Sequence, residues 1–390
     1  MDTQRAIASS NNNNNNKDAY PNILPSLGYW AAHEQYSMQD LLSFVIEAEK
    51  KGFTSTMTSD HFHPWWHDNA YGNFTWVWMA VAAERTKRMQ FVTGVTSPIY
   101  RYNPAIIAQA FASLDDLFPG RVGLGVGSGE ALNEVPLGYD WPIAKVRLAR
   151  TKEAIEIIKM LWEAGRDAKE SNKGKREEGA EGKGGFVQYN GQYFHIRNAR
   201  LYTPPKTKIP LYMAAAGKQS AQIAAKYADG IITYLNPTEA ENILNLFNET
   251  ADKEGRAKEQ NISSLPKIAE YKVSYSEDYD SALRSANFWR GTLVKNVFNS
   301  AISDPRKLEE KAKEEVGDDE LKKAIEITTS IEDCISSIEK YFKAGFTTVY
   351  VHSTSPDEIE FLDKFCSKVL PHFLNVDQSR TSSRHETYTY

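Results

Sequence analysis

The chain has 390 residues, 41% of them apolar, and a formal net charge of −5. That length and apolar content suit a globular protein the size of an α/β barrel with insertions. The acidic balance leaves no basic footprint for nucleic acid, and no apolar run approaches the roughly 20 residues of a membrane span.

Residues 1–20 are polar, include six consecutive asparagines from Asn11 to Asn16, and lack the apolar core of a secretory signal. They read as a disordered leader and residues 375–390 as a disordered tail, leaving 21–374 as a single domain. Leu27 to Trp30 is the first expected strand. Ser37 then caps a helix with apolar face Leu41, Phe44, Val45 and Ala48, and Gly52 stands just past its end. Phe53 to Asp60 is strand two, Trp76 to Arg85 a helix, and Met89 to Ser97 strand three. Pro104 opens the next helix in its first turn. Val122 to Gly127 is strand four, and Lys145 to Trp162 a long amphipathic helix. Residues 166–185 are charged and Gly-rich and read as a flexible insertion. A hairpin follows, Phe186 to Asn190 and Gln192 to Ile196, turned at Asn190-Gly191. Pro210 to Ala216, Gly230 to Leu235, Ile268 to Tyr275 and Thr347 to His352 supply strands five to eight. Helices Gln219 to Ala228, Thr238 to Glu254 and Asp357 to Leu370 lie between and after them, with mostly helical sequence before Ala344.

Eight strand–helix units point to a (β/α)₈ TIM barrel with insertions rather than an open doubly wound sheet. The alternating glycines at 123, 125, 127 and 129 do not have the G-x-G-x-x-G spacing of a dinucleotide fold.

Chemistry concentrates where strands end. Ser59-Asp60-His61-Phe62-His63-Pro64-Trp65-Trp66-His67 follows strand two, Gly127-Ser128-Gly129-Glu130 follows strand four, and Tyr234 follows strand six. Glu270 and Lys272 share one face of strand seven by its period of two, and His352 ends strand eight. The pair Asp60-His61 can move protons near neutrality or serve as a satisfied structural pair. Trp65 and Trp66 can line a pocket or join the core. The glycines from 125 to 129 can form an anion nest or allow close packing. Lys272 can meet substrate or neutralise Glu270. His61-x-His63 hints at a metal, but no further His or carboxylate spacing completes a ligand set, so no metal is expected. Two cysteines, Cys334 and Cys366, are too few for a disulfide framework and suit a reducing cytosol, so a cytoplasmic location is expected.

Several ungapped segments resemble a known family: Ser59-Asp60-His61-Phe62-x-Pro64-Trp65, Arg101-Tyr102-Asn103-Pro104-Ala105, Ala108-Gln109-Ala110-Phe111-Ala112, and the run from Gly125 to Glu134. In order and spacing they resemble the F420-dependent glucose-6-phosphate dehydrogenases of the luciferase-like superfamily, from about Leu27 to Leu374. The resemblance implies a deazaflavin coenzyme, F420, in the mouth of the barrel, a small-molecule substrate, and a homodimer. It implies that His61 takes the hydroxyl proton as hydride leaves a sugar phosphate, that Glu130 is the acid serving the coenzyme, and that Trp65 contacts substrate. Asp60 and Glu34 match residues beside the coenzyme, and Gly127, Ser128, Gly129 and Asn133 complete its expected site. Gly94-Val95 matches a non-proline cis peptide behind the ring. Lys272 and Tyr234 join Trp65 as expected substrate contacts. The family's phosphate pocket also uses a Thr and a Lys after the sixth strand. Here that stretch is Tyr234-Leu235-Asn236-Pro237. F420-dependent oxidation of another alcohol, an FMN-dependent monooxygenase of the same superfamily, and a coenzyme carrier without turnover are the competing readings.

Overall fold

The structure, a computed structural model, describes residues 26–171, 184–256 and 261–374. The leader and tail expected at residues 1–20 and 375–390 lie outside the described residues. In chain order the strands are β1 (Ser26–Ala31), β2 (Ser55–Thr58), β3 (Gln90–Thr93), β4 (Val122–Val126), β5 (Val187–Asn190) and β6 (His195–Ala199). They continue as β7 (Leu211–Ala214), β8 (Gly230–Thr233), β9 (Lys267–Tyr275), β10 (Glu326–Thr328) and β11 (Thr348–Ser353). Parallel pairing runs β1-β2-β3-β4-β7-β8-β9-β11, and β11 pairs with β1 to close the barrel. The eight expected barrel strands are all present, which makes the fold a TIM barrel.

Period-two alternation builds two cores. Along β4, Val122, Leu124 and Val126 pack outward with the surrounding helices, while Gly123, Gly125 and Gly127 alternate with them and face inward. Along β9, Ala269, Tyr271 and Val273 join the outer core, and Ile268 joins the inner one with Trp30, Met57, Val92, Tyr212, Ile232 and Tyr350. The helices start where local chemistry allows. Ser37 accepts the Asp40 N–H at 3.2 Å before helix Met38–Lys50, whose Leu41, Val45 and Ala48 are buried. Asn103 accepts the Ala105 N–H at 2.9 Å, and Pro104 occupies the first turn of helix Pro104–Leu117.

Four sequence expectations are corrected. β2 and β3 are shorter than expected. Past Thr58 and Thr93 only isolated pairing persists, such as Gly94 N–H to the Thr58 carbonyl at 2.8 Å and a bridge of Thr96 with Val126, as the chain leaves the ladder for the mouth. The long helix begins at Ala144 and runs to Ser171, so residues 166–171 are helical; residues 172–183 of the expected insertion lie outside the described residues. The hairpin strand β6 starts at His195, not at Gln192, because the Glu153 carboxylate accepts the N–H groups of Gln192, Tyr193 and Phe194 and draws the backbone into a wider turn. Finally, β10 adds a short strand beside the end of β9, pairing Glu326 to Thr328 with Val273 to Tyr275.

Candidate active site

His61 leaves the end of β2 into a loop with no regular ladder. Its Nε2 lies 3.3 Å from Glu130 Oε2 and 3.6 Å from Glu34 Oε1. Its Nδ1 lies 3.2 Å from the His63 carbonyl oxygen and 3.5 Å from Asn133 Nδ2. The imidazole therefore sits between two carboxylates on one edge and a carbonyl on the other. Asn133 links the parts: its Oδ1 accepts the Phe62 N–H at 2.7 Å, and its Nδ2 lies 3.4 Å from Glu130 Oε2. Glu34, in the turn after β1, is fixed by a 2.5 Å bond from Ser59 Oγ, which itself accepts the His33 N–H. Burial raises the Glu130 carboxyl above the ordinary range; His61 opposes the shift and Glu34 reinforces it.

Asp60 faces away from this group into a buried frame. Arg101 Nη1 is 3.1 Å from its Oδ1, Thr96 Oγ1 donates to its Oδ2 at 2.7 Å, and the Tyr102 hydroxyl donates to Oδ1 at 3.2 Å. Burial pushes its carboxyl up, and Arg101 pulls against that. Arg101 Nη1 also donates to the Asp60 carbonyl at 3.0 Å, so the guanidinium holds the strand end that presents His61. Glu134 joins the frame through Ser97 and the Arg101 N–H, with burial raising its carboxyl to about 7. The motif Arg101-Tyr102-Asn103 was legible in the sequence, but its work on Asp60 was not, because that contact joins segments about 40 residues apart.

The rest of the mouth has two kinds of wall. On one side are Gly94, Val95, Ser128, Gly129 and Ala214, all small and partly exposed. The Gly94-Val95 peptide is cis. A Cβ on Gly94 would stand 2.5 Å from Met57 Cγ, and one on Gly127 would stand 2.5 Å from Val95 Cγ2. Gly129 has φ +75°, where a side chain would strain the backbone and crowd Ile99 and Ser97. On the other side Lys272 Nζ lies 2.6 Å from Glu270 Oε2, and His352 Nδ1 lies 2.6 Å from Glu270 Oε1. Burial alone would raise the Glu270 carboxyl, but Lys272 and His352 outweigh it and hold it at about 2. Burial pushes the His352 imidazole below its ordinary value against the pull of Glu270. His352 stacks on Trp30 and meets the edge of Trp289, a residue the sequence reading did not single out.

An aromatic row closes the mouth. Tyr234 stacks on Phe298 at 4.9 Å between centroids, Phe298 meets the edge of Trp65 at 5.4 Å, and Trp65 tilts over His61 at 5.3 Å. Both Trp65 and Trp66 are buried, Trp66 beneath the Lys313 ammonium. The structure thus gathers His61, Glu130, Glu34, Asn133 and Trp65 into one cluster. Asp60 stands behind it, and Lys272 is committed to Glu270 on the far wall. Among the described residues, no cluster of three or more His, Cys, Asp or Glu side chains has the arrangement of a metal site.

The class these features define is a TIM-barrel protein whose mouth sets an acid–base cluster beside a low, glycine-lined wall. The chain belongs to the luciferase-like monooxygenase family, which it matches over residues 23–348. It is 34% identical to a protein of Rhodococcus erythropolis named F420-dependent glucose-6-phosphate dehydrogenase, over 88% of this chain and 96% of that one. A second relative of that name from Amycolatopsis mediterranei is 34% identical over 88% of this chain and 97% of its own. Among solved structures it resembles an F420-dependent secondary alcohol dehydrogenase in complex with an F420-acetone adduct. That match has a TM-score of 0.79 and 36% identity, covering 89% of this chain and 98% of the other. The fold also matches the coenzyme F420-dependent tetrahydromethanopterin reductase of Methanopyrus kandleri, with a TM-score of 0.66 at 21% identity.

Proposed function

We propose that this protein is an F420-dependent dehydrogenase that oxidises a substrate C–OH to a carbonyl. The observation that carries the reading is His61 Nε2 set between Glu130 and Glu34 beside the glycine-lined wall. The residues fit a deazaflavin. Gly94, Val95, Gly127, Ser128 and Gly129 leave a low surface against which a planar ring can lie, and side chains at the glycines would crowd Met57, Val95 or Ile99 and disturb it. Glu34 and Asn133 would border it, while Asp60, expected beside the coenzyme, is fully buried against Arg101, Thr96 and Tyr102 and would act from behind.

F420, when bound, accepts the hydride from the alcohol carbon. The chain handles the proton. With the Nδ1 hydrogen directed at the His63 carbonyl, Nε2 carries the lone pair and takes the hydroxyl proton as the C–H bond breaks. Glu34 Oε1, 3.6 Å from Nε2, faces the imidazolium that results and offers it an oxygen partner. Burial shifts the Glu130 carboxyl upward, the direction that favours a proton held at the mouth for the coenzyme side of the reaction. Trp65 covers His61 and excludes water.

A sugar phosphate, the substrate in the curated relatives' names, is the first reading of the alcohol, with Lys272, Trp65 and Tyr234 as contacts. One observation favours a second reading, an uncharged alcohol. Lys272 is already neutralised by Glu270, and a phenol and a leucine stand after β8 where the family places Thr and Lys. A phosphate dianion wants several donors and more than one free cation. Glucose 6-phosphate and 2-propanol assayed side by side with F420 separate the readings, since saturable turnover of only one rejects the other. Titration with F420 and then FMN, followed by fluorescence quenching, tests the coenzyme. Binding of FMN but not F420 defeats the proposal.

We also read the protein as a cytoplasmic homodimer. Its two cysteines are free and buried, and Val77, Val81, Ile106 and Leu117 leave exposed apolar surface on two helices. Sedimentation equilibrium of the wild type and Leu117→Glu tests the dimer.

A further inference from the structure

We propose that Glu309 is a positioning residue for His61 and Trp65, acting through the backbone of the loop that carries them. The inference rests on the reading of His61 as the base. The loop after β2 lacks a ladder, so its peptide groups need partners elsewhere. At its start, Phe62 N–H has Asn133. Midway along it, the consecutive N–H groups of His67 and Asp68 both donate to Glu309 Oε2, at 2.9 and 3.1 Å. Two adjacent N–H groups on one carboxylate oxygen form a nest that fixes the peptide plane.

Glu309 lies on helix Pro305–Glu315 and is 4% exposed. Its other oxygen meets Lys313 Nζ at 2.5 Å, and that ammonium covers the Trp66 ring. The same region grips the loop twice more. His63 Nδ1 lies 2.9 Å from the Ser303 carbonyl, and Gly291 packs against the Trp65 carbonyl so closely that a Cβ there would collide with it. Between these grips stands Trp65, which tilts over His61. Its ion-pair partner Lys313 is mostly exposed, and such pairs add little stability, so the value of Glu309 here is directional. It sets where the peptides of 67 and 68 point, and through them the reach of Trp65 and His61.

The test compares wild type with Glu309→Ala and Glu309→Gln. Glu309→Ala should lower kcat about tenfold or more, because a small misplacement of reacting groups is costly. Its F420 dissociation constant should stay within about twofold, since Glu309 bonds the 67 and 68 peptides and Lys313 and not the glycine wall. In the coenzyme-free protein, amide hydrogen exchange at His67 and Asp68 should accelerate. Glu309→Gln keeps an oxygen that can accept both N–H groups and should restore most of the turnover and the protection. The proposal falls if Glu309→Ala turns over like wild type, if kcat drops with protection at 67 and 68 unchanged, or if Glu309→Gln relieves nothing. Should Glu309→Ala not fold, Glu309→Gln decides alone: near-wild-type kcat and protection support the proposal, and lost turnover with intact protection overturns it. His61→Ala assayed alongside keeps the two readings apart, since full turnover there defeats the base whatever Glu309 does.

Discussion

The wall of the mouth built from the ends of β3, β4 and β7 presents Gly94, Val95, Gly127 and Ala214, whereas the wall from β9, β11 and β1 presents Glu270, Lys272, His352 and Trp30. The first has given up side chains, and the second is crowded with charge and rings that satisfy one another. Lys272 and Glu270 cancel, and burial keeps His352 toward its neutral form, so the crowded wall carries little net charge. The difference teaches that the two sides of one mouth divide the work: one keeps a low surface, as the proposed coenzyme site requires, and the other fills its space with groups that satisfy one another. The cluster of His61, Glu34 and Glu130, to which we assign the proton chemistry, stands at the junction of the two.

The sharpest way to break this division is at the junction. His61→Ala should lower turnover by about 10²–10⁴-fold with F420 affinity changed no more than a few-fold, because the base and the open wall are separate devices. Stopped-flow turnover and a fluorescence titration measure the two; a large loss of affinity would merge them. On the filled wall, Lys272→Ala leaves Glu270 without its cation. It should cost about 2–4 kcal/mol of stability by urea denaturation, discounted for partial exposure of the pair. KM for an uncharged alcohol should hardly move, and a several-fold rise in KM for glucose 6-phosphate would instead give Lys272 a role in binding. On the open wall, Gly127→Val crowds Val95 and the ring's surface. Overpacking of this kind costs about 1–3 kcal/mol, so F420 should bind about 10–100-fold more weakly while far-ultraviolet circular dichroism stays that of the wild type.

The smallest effect lies outside both walls. Glu358 is buried against Tyr29, whose hydroxyl donates to it at 2.9 Å, and burial raises its carboxyl to about 8. A carboxyl raised above its unfolded value near 4.5 binds its proton more tightly in the folded state. Its contribution is therefore full at acidic pH and is lost as pH climbs toward 8. Stability should fall by up to about 2 kcal/mol between pH 6 and 8, and Glu358→Gln should flatten that slope. A slope unchanged in the variant would remove Glu358 as its source.

Much of this was legible in the chain. Alternation of apolar runs with helical periods reveals the barrel strands, because a strand between helices must bury both faces. The run Ser59 to His67 and the glycines from 125 to 129 marked two of the loops that meet at the mouth, since strand ends are where side chains are free to do chemistry. What the sequence could not decide were contacts between distant segments. The three N–H groups that Glu153 takes from the hairpin, the hold of Arg101 on Asp60, and the grip of Glu309 on His67 and Asp68 join residues about 40 to 240 positions apart. Nor could it decide the state of Lys272. Period two puts Lys272 and Glu270 on one face, but only the packed barrel brings His352 to the same carboxylate and excludes the water that would otherwise screen the pair. Local pattern determines which residues form strands and which face inward, because that depends on neighbours in the chain. Partnership and charge depend on neighbours in space, and those exist only once the barrel closes.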